Sequence, residues 1–324
     1  MALVKAARIG ARGYNVAVVG AGRVGSSTAF ALANSGIATE IVMVDVNEPL
    51  AEGEAMDISH GVGFLHPATL YSGECDECQD ADVVVITAGT ARKPGETRMD
   101  LLQRNTAIIR EVLSHMPHHK PDAVIVIVAN PVDVMGYAAL KLADFPPERV
   151  IATGTMLETA RLQYIVGQYC GVSTDSVEGY TIAEHGESQV TPWSQVRIGG
   201  VPVADYCRQM GIPWDAAMEA DITGQVRTGG ADVIKRKGAT FYGIAAATAR
   251  VVRTILRDEH AVLPVSTLMQ GAYGIEGVFM SLPTVIGRAG VLGVLAPPLT
   301  DDETAAVRKS AEALRGALKE TGLA

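Results

Sequence analysis

The stretch from Val16 to Asp45, VAVVGAGRVGSSTAFALANSGIATEIVMVD, constrains the fold more than any other. Its first four residues, Val16 to Val19, are short, apolar and β-branched, as a buried parallel strand requires. Gly20-Ala21-Gly22-Arg23-Val24-Gly25 follows, a G-x-G-x-x-G. A helix is expected from Arg23 to about Ser35, with Gly36 at its C-terminal end. A second apolar strand, Ile41 to Val44, ends at Asp45. In such a unit the first glycine permits the tight turn and the second lets a pyrophosphate approach the backbone. The third lets helix and strand pack closely. The helix N-terminus then offers free N–H groups and the positive end of its dipole to the diphosphate. Asp45 follows Gly25 at the distance where a carboxylate accepts both adenine-ribose hydroxyls of NAD and repels the extra phosphate of NADP. The expected cofactor is NAD.

Helix and strand signals keep alternating after Asp45. A helix is expected over Glu48 to Ser59, with Pro49 in its first turn, and strands over Thr69 to Tyr71, Asp82 to Thr87 and Ala123 to Val128. The polar stretch Ala91 to Asp100 reads as a loop because of Pro94 and Gly95, and a helix from about Leu101 to His115 follows it. This alternation implies an α/β fold with a doubly wound parallel sheet. Ligands of such sheets bind at the carboxyl ends of the strands, where Gly20, Asp45, Thr87, Gly89 and Asn130 fall. Beyond Gly154 the pattern becomes α+β. Met156 to Cys170 reads as a helix capped by Gly171, and a strand over Glu178 to Ile182 leads into Ala183-Glu184-His185-Gly186-Glu187-Ser188. Asp232 to Leu256 is mostly helical with a break near Gly238, and Asp301 to Lys319 forms a last amphipathic helix capped by Thr300. The expected domains are a nucleotide-binding unit over 14–154 and an α+β substrate unit over 155–324.

The 324 residues suffice for two such units, and a hydrophobic content of 48% supplies their cores. A formal charge of −9 argues against nucleic acid as a partner. No apolar run is long enough to span a membrane. Met1 to Gly13 carries Lys5, Arg8 and Arg12 without an apolar segment, so it reads as a loose arm and not as a signal peptide. A cytoplasmic protein is expected. Cys75 and Cys78 form a C-x-x-C, but Asp76 and Glu77 between them are expected to disfavour thiolates. No second cysteine pair completes a zinc site. With Cys170 and Cys207, all four are expected to be reduced thiols, and no metal is expected.

Among the histidines, His185 is the candidate for proton transfer. It follows a strand, lies in a glycine-containing turn and has acidic neighbours. Glu158 and Arg161 share a helix face at i, i+3. That pairing suits a carboxylate that orients a base and a guanidinium that grips a substrate carboxylate bidentately. Arg92 and Arg98 flank Lys93-Pro94-Gly95-Glu96-Thr97, a charge-rich loop placed after a cofactor-binding strand, and so a candidate lid.

These stretches together resemble the NAD-dependent lactate and malate dehydrogenases over nearly the whole chain. The matching segments are Gly20 to Gly25, Arg92 to Asn105 (RKPGETRMDLLQRN), Asn130 to Asp133 (NPVD), Gly154 to Arg161 (GTMLETAR), Glu184 to Ser188 (EHGES) and Lys237 to Ile244 (KGATFYGI). The resemblance implies a Rossmann-type nucleotide domain and a small 2-oxo or 2-hydroxy acid as substrate. It implies that His185 is the acid/base, that Arg161 holds the C1 carboxylate, and that Arg98 polarises the C2 carbonyl with help from Asn130. Thr240 would line the substrate pocket and Ile244 would pack near the nicotinamide. Val24, Val128 and Thr153 complete the cofactor-binding set. The Asn130–Pro131 bond would be cis, and the assembly a homotetramer. Two residues depart from the family pattern: Glu158 stands where Asp is usual, and Glu187 where Asp or Asn is usual.

Specificity turns on Arg92. Lactate dehydrogenases usually carry Gln there and malate dehydrogenases Arg. A second guanidinium would pair the second carboxylate of oxaloacetate and stand unpaired against pyruvate, a difference of roughly 2–5 kcal/mol. The expectation is therefore a malate dehydrogenase on a lactate-dehydrogenase-like frame, although Thr240 is the lactate-type choice. The alternatives are an L-lactate dehydrogenase and, from another class, an NAD-binding sensor without turnover. Many bacterial lactate dehydrogenases bind fructose 1,6-bisphosphate between subunits through an Arg and a His. The resemblance puts Gln163 and Glu178 at those positions, so activation by the sugar bisphosphate is not expected.

Overall fold

In the computed structural model, which describes residues 13–90, Gly95 and residues 97–322 apart from the Arg98 side chain, alternation along the strands sets the two faces of the sheet. In β1 (Asn15–Val19), Val16 and Val18 enter one core and Ala17 and Val19 the other. The chain continues through α1 (Arg23–Ser35), β2 (Glu40–Val44), α2 (Glu48–Gly61), β3 (Thr69–Ser72), β4 (Val83–Ile86), α3 (Arg98–Ser114), β5 (Val124–Ile127), α4 (Val132–Leu142) and β6 (Val150–Ala152). These six strands run parallel. The segment expected as an N-terminal arm falls mostly on 1–12, outside the described residues.

The later half comprises α5 (Met156–Cys170), β7 (Val177–Glu178), β8 (Arg197–Ile198), β9 (Val201–Pro202), α6 (Val203–Met210), α7 (Ala216–Lys237), α8 (Tyr242–Leu256), β10 (Ala261–Leu263), β11 (Ser266–Gln270), β12 (Glu276–Ser281), β13 (Thr284–Gly287), β14 (Gly290–Val294) and α9 (Asp301–Thr321). The sheet order is β12-β11-β6-β5-β4-β1-β2-β3, so two strands of the later half extend the parallel sheet. They join antiparallel, with Ser266 opposite Ala152. Helices α3, α4 and α9 cover one face, contributing Leu102, Val134 and Leu314 to its core. Helices α1, α2 and α8 cover the other, with Leu32, Ala51 and Val252. A third core joins α5, α6 and α7 to the small β7–β9 sheet through Leu162, Val203 and Ile222.

Several boundaries differ from expectation. Helix α3 begins at Arg98 because Thr97 caps it. The Asp100 N–H donates to Thr97 Oγ1 at 3.1 Å, and the Thr97 N–H donates to Asp100 Oδ2 at 3.0 Å. Helix α7 begins at Ala216, well before Asp232, with Asp215 as its N-cap. The strand expected over Glu178 to Ile182 shortens to Val177–Glu178 and an isolated bridge from Ile182 to Val190. Asp76 and Glu77 also do not decide the state of Cys75. Hydrogen bonding from Cys78 is the largest influence, and the Cys75 thiol sits below its ordinary value.

Candidate functional site

The sheet order reverses between β1 and β4, and the residues following those strands meet there. Gly20 has φ +101°, and a Cβ on it would lie 2.7 Å from the Ala88 nitrogen. On Gly25 a Cβ would come within 1.7 Å of the Gly20 carbonyl oxygen, so only glycine lets α1 approach β1. Over Gly22 there is open space, with nothing within 4 Å of a Cβ. Asp45 Oδ2 accepts the Ala21 N–H at 2.6 Å and Oδ1 accepts the Asn47 N–H at 2.8 Å, which fixes the carboxylate beside the glycine loop. Thr87 Oγ1 lies 3.0 Å from the Gly20 carbonyl. Val24 is half-buried in the first turn of α1, while Val128 and Thr153 are buried after β5 and β6. The open face over Gly22, the first N–H groups of α1 and the carboxylate after β2 fit the phosphates and ribose of a dinucleotide.

One residue that the sequence reading left without a role ties this region together. Asn105, on α3, is buried, accepts the Thr90 N–H at 3.0 Å and donates to the Asn130 carbonyl at 2.8 Å. It joins the loop after β4 to the loop after β5, where the Asn130–Pro131 bond is cis. Gly89 lies between them, where a Cβ would already stand 3.4 Å from Ala129 Cβ.

His185 is anchored through its backbone and its ring. Ala183 takes a left-handed conformation, φ +75°, and exchanges backbone hydrogen bonds with Ser281 at the end of β12, at 2.8 and 3.0 Å. For a non-glycine residue this conformation is strained. The Glu184 N–H donates to Ser310 Oγ on α9 at 3.1 Å, and the His185 N–H to Asp133 Oδ2 on α4 at 2.8 Å. Three consecutive residues are thus held by three separate elements. The ring nitrogen Nδ1 lies 3.1 Å from Glu158 Oε2. Burial works against the imidazolium, but the hydrogen bond and charge of Glu158, with Asp133 behind, outweigh it, and the pKa of His185 stands above the ordinary histidine value. Burial likewise opposes the Glu158 carboxylate, yet His185 and then Arg161 hold it below its ordinary value. Burial pushes the Asp133 carboxyl up to about 6. Asp133, Ser281 and Ser310 escaped the sequence reading of the site. Asp133 alone carried a signal, as the last residue of the NPVD segment.

Glu158 stands between two partners, because its Oε1 accepts from Arg161 Nη1 at 3.0 Å. The same Nη1 reaches the Val226 carbonyl of α7 at 3.5 Å. The other edge of the guanidinium faces Gly229 and Gly230, where a Cβ would lie 3.3 Å from Nε and 3.6 Å from Nη2 respectively. These glycines give the Arg161 side chain its room. Thr240 is half-buried in the link between α7 and α8. That link approaches the glycine loop, since a Cβ on Gly238 would lie 3.8 Å from Arg23 Nη1. Ile244 packs against the α1–α8 side of the core. Arg92 and the side chain of Arg98 lie outside the described residues. The structure thus brings together His185, Glu158 and Arg161, and separately the glycine loop, Asp45 and Thr87.

The chain is similar to known proteins over both of its halves. Residues 14–152 match the NAD-binding domain of lactate/malate dehydrogenases, and residues 155–322 match the alpha/beta C-terminal domain of the same enzymes. The chain is 41% identical over 305 residues to an L-lactate dehydrogenase of Thermoanaerobacter sp. (strain X514), covering 94% of this chain and 98% of the relative. It is 42% identical over 303 residues to L-lactate dehydrogenase 1 of Clostridium acetobutylicum, covering 94% and 97%. Among solved structures, a minor L-lactate dehydrogenase from Enterococcus mundtii superposes with a TM-score of 0.92 at 36% identity, covering 95% of this chain and 98% of that one. A lactate dehydrogenase from a Medee basin deep-sea metagenome library gives 0.93 at 37% identity, covering 96% and 100%.

These likenesses overturn the expectation of a malate dehydrogenase. That expectation weighed one guanidinium, Arg92, against the rest of the chain, and the rest is similar to lactate dehydrogenases. An unpaired guanidinium is costly only where it is taken out of water. A long arginine side chain can lay its stem along the protein and keep its head in water. The cofactor expectation stands, and NAD is the dinucleotide for which the first domain is built. With both domain models matched and relatives alike over nearly their full length, the chain belongs to the lactate/malate dehydrogenase family and is an NAD-dependent enzyme of it.

Proposed function

We propose that this enzyme is an L-lactate dehydrogenase that interconverts pyruvate and L-lactate. The observation that carries the proposal is its whole-length similarity, at 41–42% identity, to proteins named L-lactate dehydrogenase. The lactate-type Thr240 in the α7–α8 link supports it. Bound NADH supplies the hydride to the substrate's C2 carbon. The glycine loop, Asp45, Thr87, Gly89, Asn130 and the buried Val128 and Thr153 hold the cofactor.

In this reading His185 gives its proton to the C2 oxygen during reduction and takes it back during oxidation. Because Nδ1 is engaged by Glu158, Nε2 is the nitrogen that exchanges the proton. Glu158 stabilises the imidazolium and fixes the tautomer. Arg161 spends Nη1 on Glu158 and Val226, which leaves its Nε–Nη2 edge to take the substrate carboxylate beside Gly229 and Gly230. Arg98 at the start of α3 supplies positive charge for the developing oxyanion, and Asn130 assists it. Two units over 14–154 and 155–324, a homotetrameric assembly and a cytoplasmic setting follow from the same family reading. Among the described residues no helix is long and apolar enough to cross a membrane.

The test is kcat/KM for pyruvate against oxaloacetate, measured with NADH. Pyruvate is expected to be reduced more efficiently. Equal or greater efficiency with oxaloacetate would refute the assignment. Sedimentation velocity of the same preparation checks the tetramer.

A further inference from the structure

The C-x-x-C takes no part in the proposed dehydrogenase chemistry. In the structure Cys75 and Cys78 lie on a 3-10 turn, Cys75–Asp80, between β3 and β4. A 3-10 helix has three residues per turn and rises about 2.0 Å per residue, so side chains at i and i+3 eclipse with their Cα atoms roughly 6 Å apart. That spacing falls within the roughly 4.4–6.8 Å over which a disulfide closes. The two thiols differ in setting. Cys78 is fully buried, whereas Cys75 is half-buried, with its Sγ 3.9 Å from the Val112 carbonyl near the end of α3.

The charges around the pair reinforce the difference. His115, at the C-terminal end of α3, places Nδ1 2.8 Å from Asp76 Oδ1 and Nε2 3.3 Å from Glu111 Oε1. Hydrogen bonds to these two carboxylates keep the imidazolium charged to higher pH than usual. Hydrogen bonding from Cys78 lowers the Cys75 thiol and burial opposes it. The charge of His115 lowers it further, against Asp76 and Glu111. Cys78 moves the other way, raised first by hydrogen bonding with Cys75 and then by burial, with the charges of Cys75, Glu77 and Asp76 adding to the rise. The molecule also contains its own comparison. Cys170 and Cys207 bring their sulfurs to 3.6 Å, but both are buried. Burial pushes the Cys170 thiol up to about 12 and raises Cys207 as well. That pair has proximity without a nucleophile.

We propose that Cys75 and Cys78 form a hydroperoxide-sensitive dithiol site in which Cys75 is the attacking sulfur and Cys78 the resolving one. Cys75 loses its proton to solvent, and its thiolate attacks one peroxide oxygen. The O–O bond breaks, a sulfenic acid forms on Cys75, and the departing oxygen recovers a proton as water or an alcohol. The Cys78 sulfur then attacks the Cys75 sulfur, the S–O bond breaks, and water leaves with the Cys78 proton. Two thiols are oxidised by two electrons and one hydroperoxide is reduced.

The whole protein, fully reduced, is exposed to a few equivalents of hydrogen peroxide, alkylated under denaturing conditions and mapped by peptide mass spectrometry. The peptide carrying Cys75 and Cys78 is expected to lose both labels as an internal disulfide, recoverable with dithiothreitol. This should be about tenfold faster than any loss of label at Cys170 or Cys207. Cys78→Ser should trap a dimedone-reactive sulfenic acid at Cys75, and Cys75→Ser should leave Cys78 unlabelled by dimedone. His115→Gln should slow the oxidation several-fold without changing dehydrogenase turnover, which also reports that the variant is folded. A dimedone adduct on Cys78 in Cys75→Ser would overturn the proposal. So would a Cys170–Cys207 disulfide that forms first, or a fully alkylated Cys75–Cys78 pair at peroxide levels that oxidise the exposed Met210.

Discussion

At the scale of single residues, the proton on His185 is governed by a carboxylate that is itself held on two sides. Glu158 bonds His185 Nδ1 and Arg161 Nη1 from its two oxygens. The pKa of His185 is raised, so its imidazolium, which the proposed pyruvate reduction would use, persists above the ordinary histidine range. Reduction should therefore decline as pH rises through that raised value. Glu158→Gln keeps the size of the side chain and removes the charge that raises His185. The alkaline limb of kcat/KM for pyruvate is expected to move to lower pH by about one unit or more, each unit being roughly 1.4 kcal/mol. A pH profile of variant and parent measures it, and an unmoved limb would show that Glu158 does not set the His185 proton. The sequence made this trio legible because its chemistry resides in distinctive residue types at family spacings. It did not disclose Asp133, Ser281, Ser310 or Asn105. These act by satisfying backbone groups of distant segments, 52 residues away for Asp133 and 126 for Ser310. Polar residues suited to that work are common in any chain, and only the tertiary fold selects among them.

Among elements, the parallel strands and their helices followed from hydrophobic alternation, whereas the attachment of the later half did not. Strands β11 and β12 complete the sheet through a short antiparallel contact at β6 that no local pattern specifies. Helix α7 starts at Ala216, well before the expected Asp232, and Gly229 and Gly230 within it leave room for Arg161. The start of β4 shows how distant segments lock together. Asp82 accepts the Asn15 N–H at 2.8 Å and pairs with Arg288 at 2.9 Å and Lys120 at 3.3 Å. Burial opposes its charge, but the Asn15 N–H, Arg288 and Lys120 together hold the carboxyl below the usual range. A carboxyl depressed in the folded state contributes stability that is complete above its unfolded pKa and is lost as pH falls through the folded one. Asp82→Asn is accordingly expected to lower stability at pH 7 by roughly 1–3 kcal/mol. It should also make stability less sensitive to acid below about pH 4. Urea midpoints at several pH values for parent and variant test both parts. A variant as stable as the parent at neutral pH would show that the cluster is not a lock.

For the molecule as a whole, family membership was legible in short motifs spread along the chain, while substrate choice was not. One side chain at a loop position outside the described residues carried the malate expectation, and a single charge is a poor proxy for a pocket built by many elements. Regulation by a phosphorylated ligand needs basic side chains to receive the phosphates. A cavity of about 620 Å³ is bounded by Gln163, Glu178, Tyr180, Gln195, Leu295 and Pro297, among others, and none of its lining residues is Lys, Arg or His. Gln163 is turned to the Gly179 carbonyl at 3.3 Å. By the resemblance, Gln163 and Glu178 stand where many bacterial lactate dehydrogenases carry a phosphate-binding Arg and His, so this chain offers a neutral amide and a carboxylate there. Each missing charge-assisted bond costs a phosphate roughly 1.5–3 kcal/mol, and Glu178 adds repulsion. Two residues of the basic run Lys235-Arg236-Lys237 have partners of their own. Arg236 pairs with Asp232 at 3.2 Å, and Lys237 Nζ lies 3.5 Å from the Phe241 ring centre and 4.2 Å from that of Tyr242. This run closes α7, where cations are favoured by the helix dipole. Pyruvate reduction is expected to follow hyperbolic kinetics without any activator, and millimolar fructose 1,6-bisphosphate should leave the half-saturating pyruvate concentration unchanged. Rate against pyruvate, with and without the bisphosphate, is the measurement. A severalfold drop in half-saturation would mean that a basic surface other than this cavity receives the phosphates.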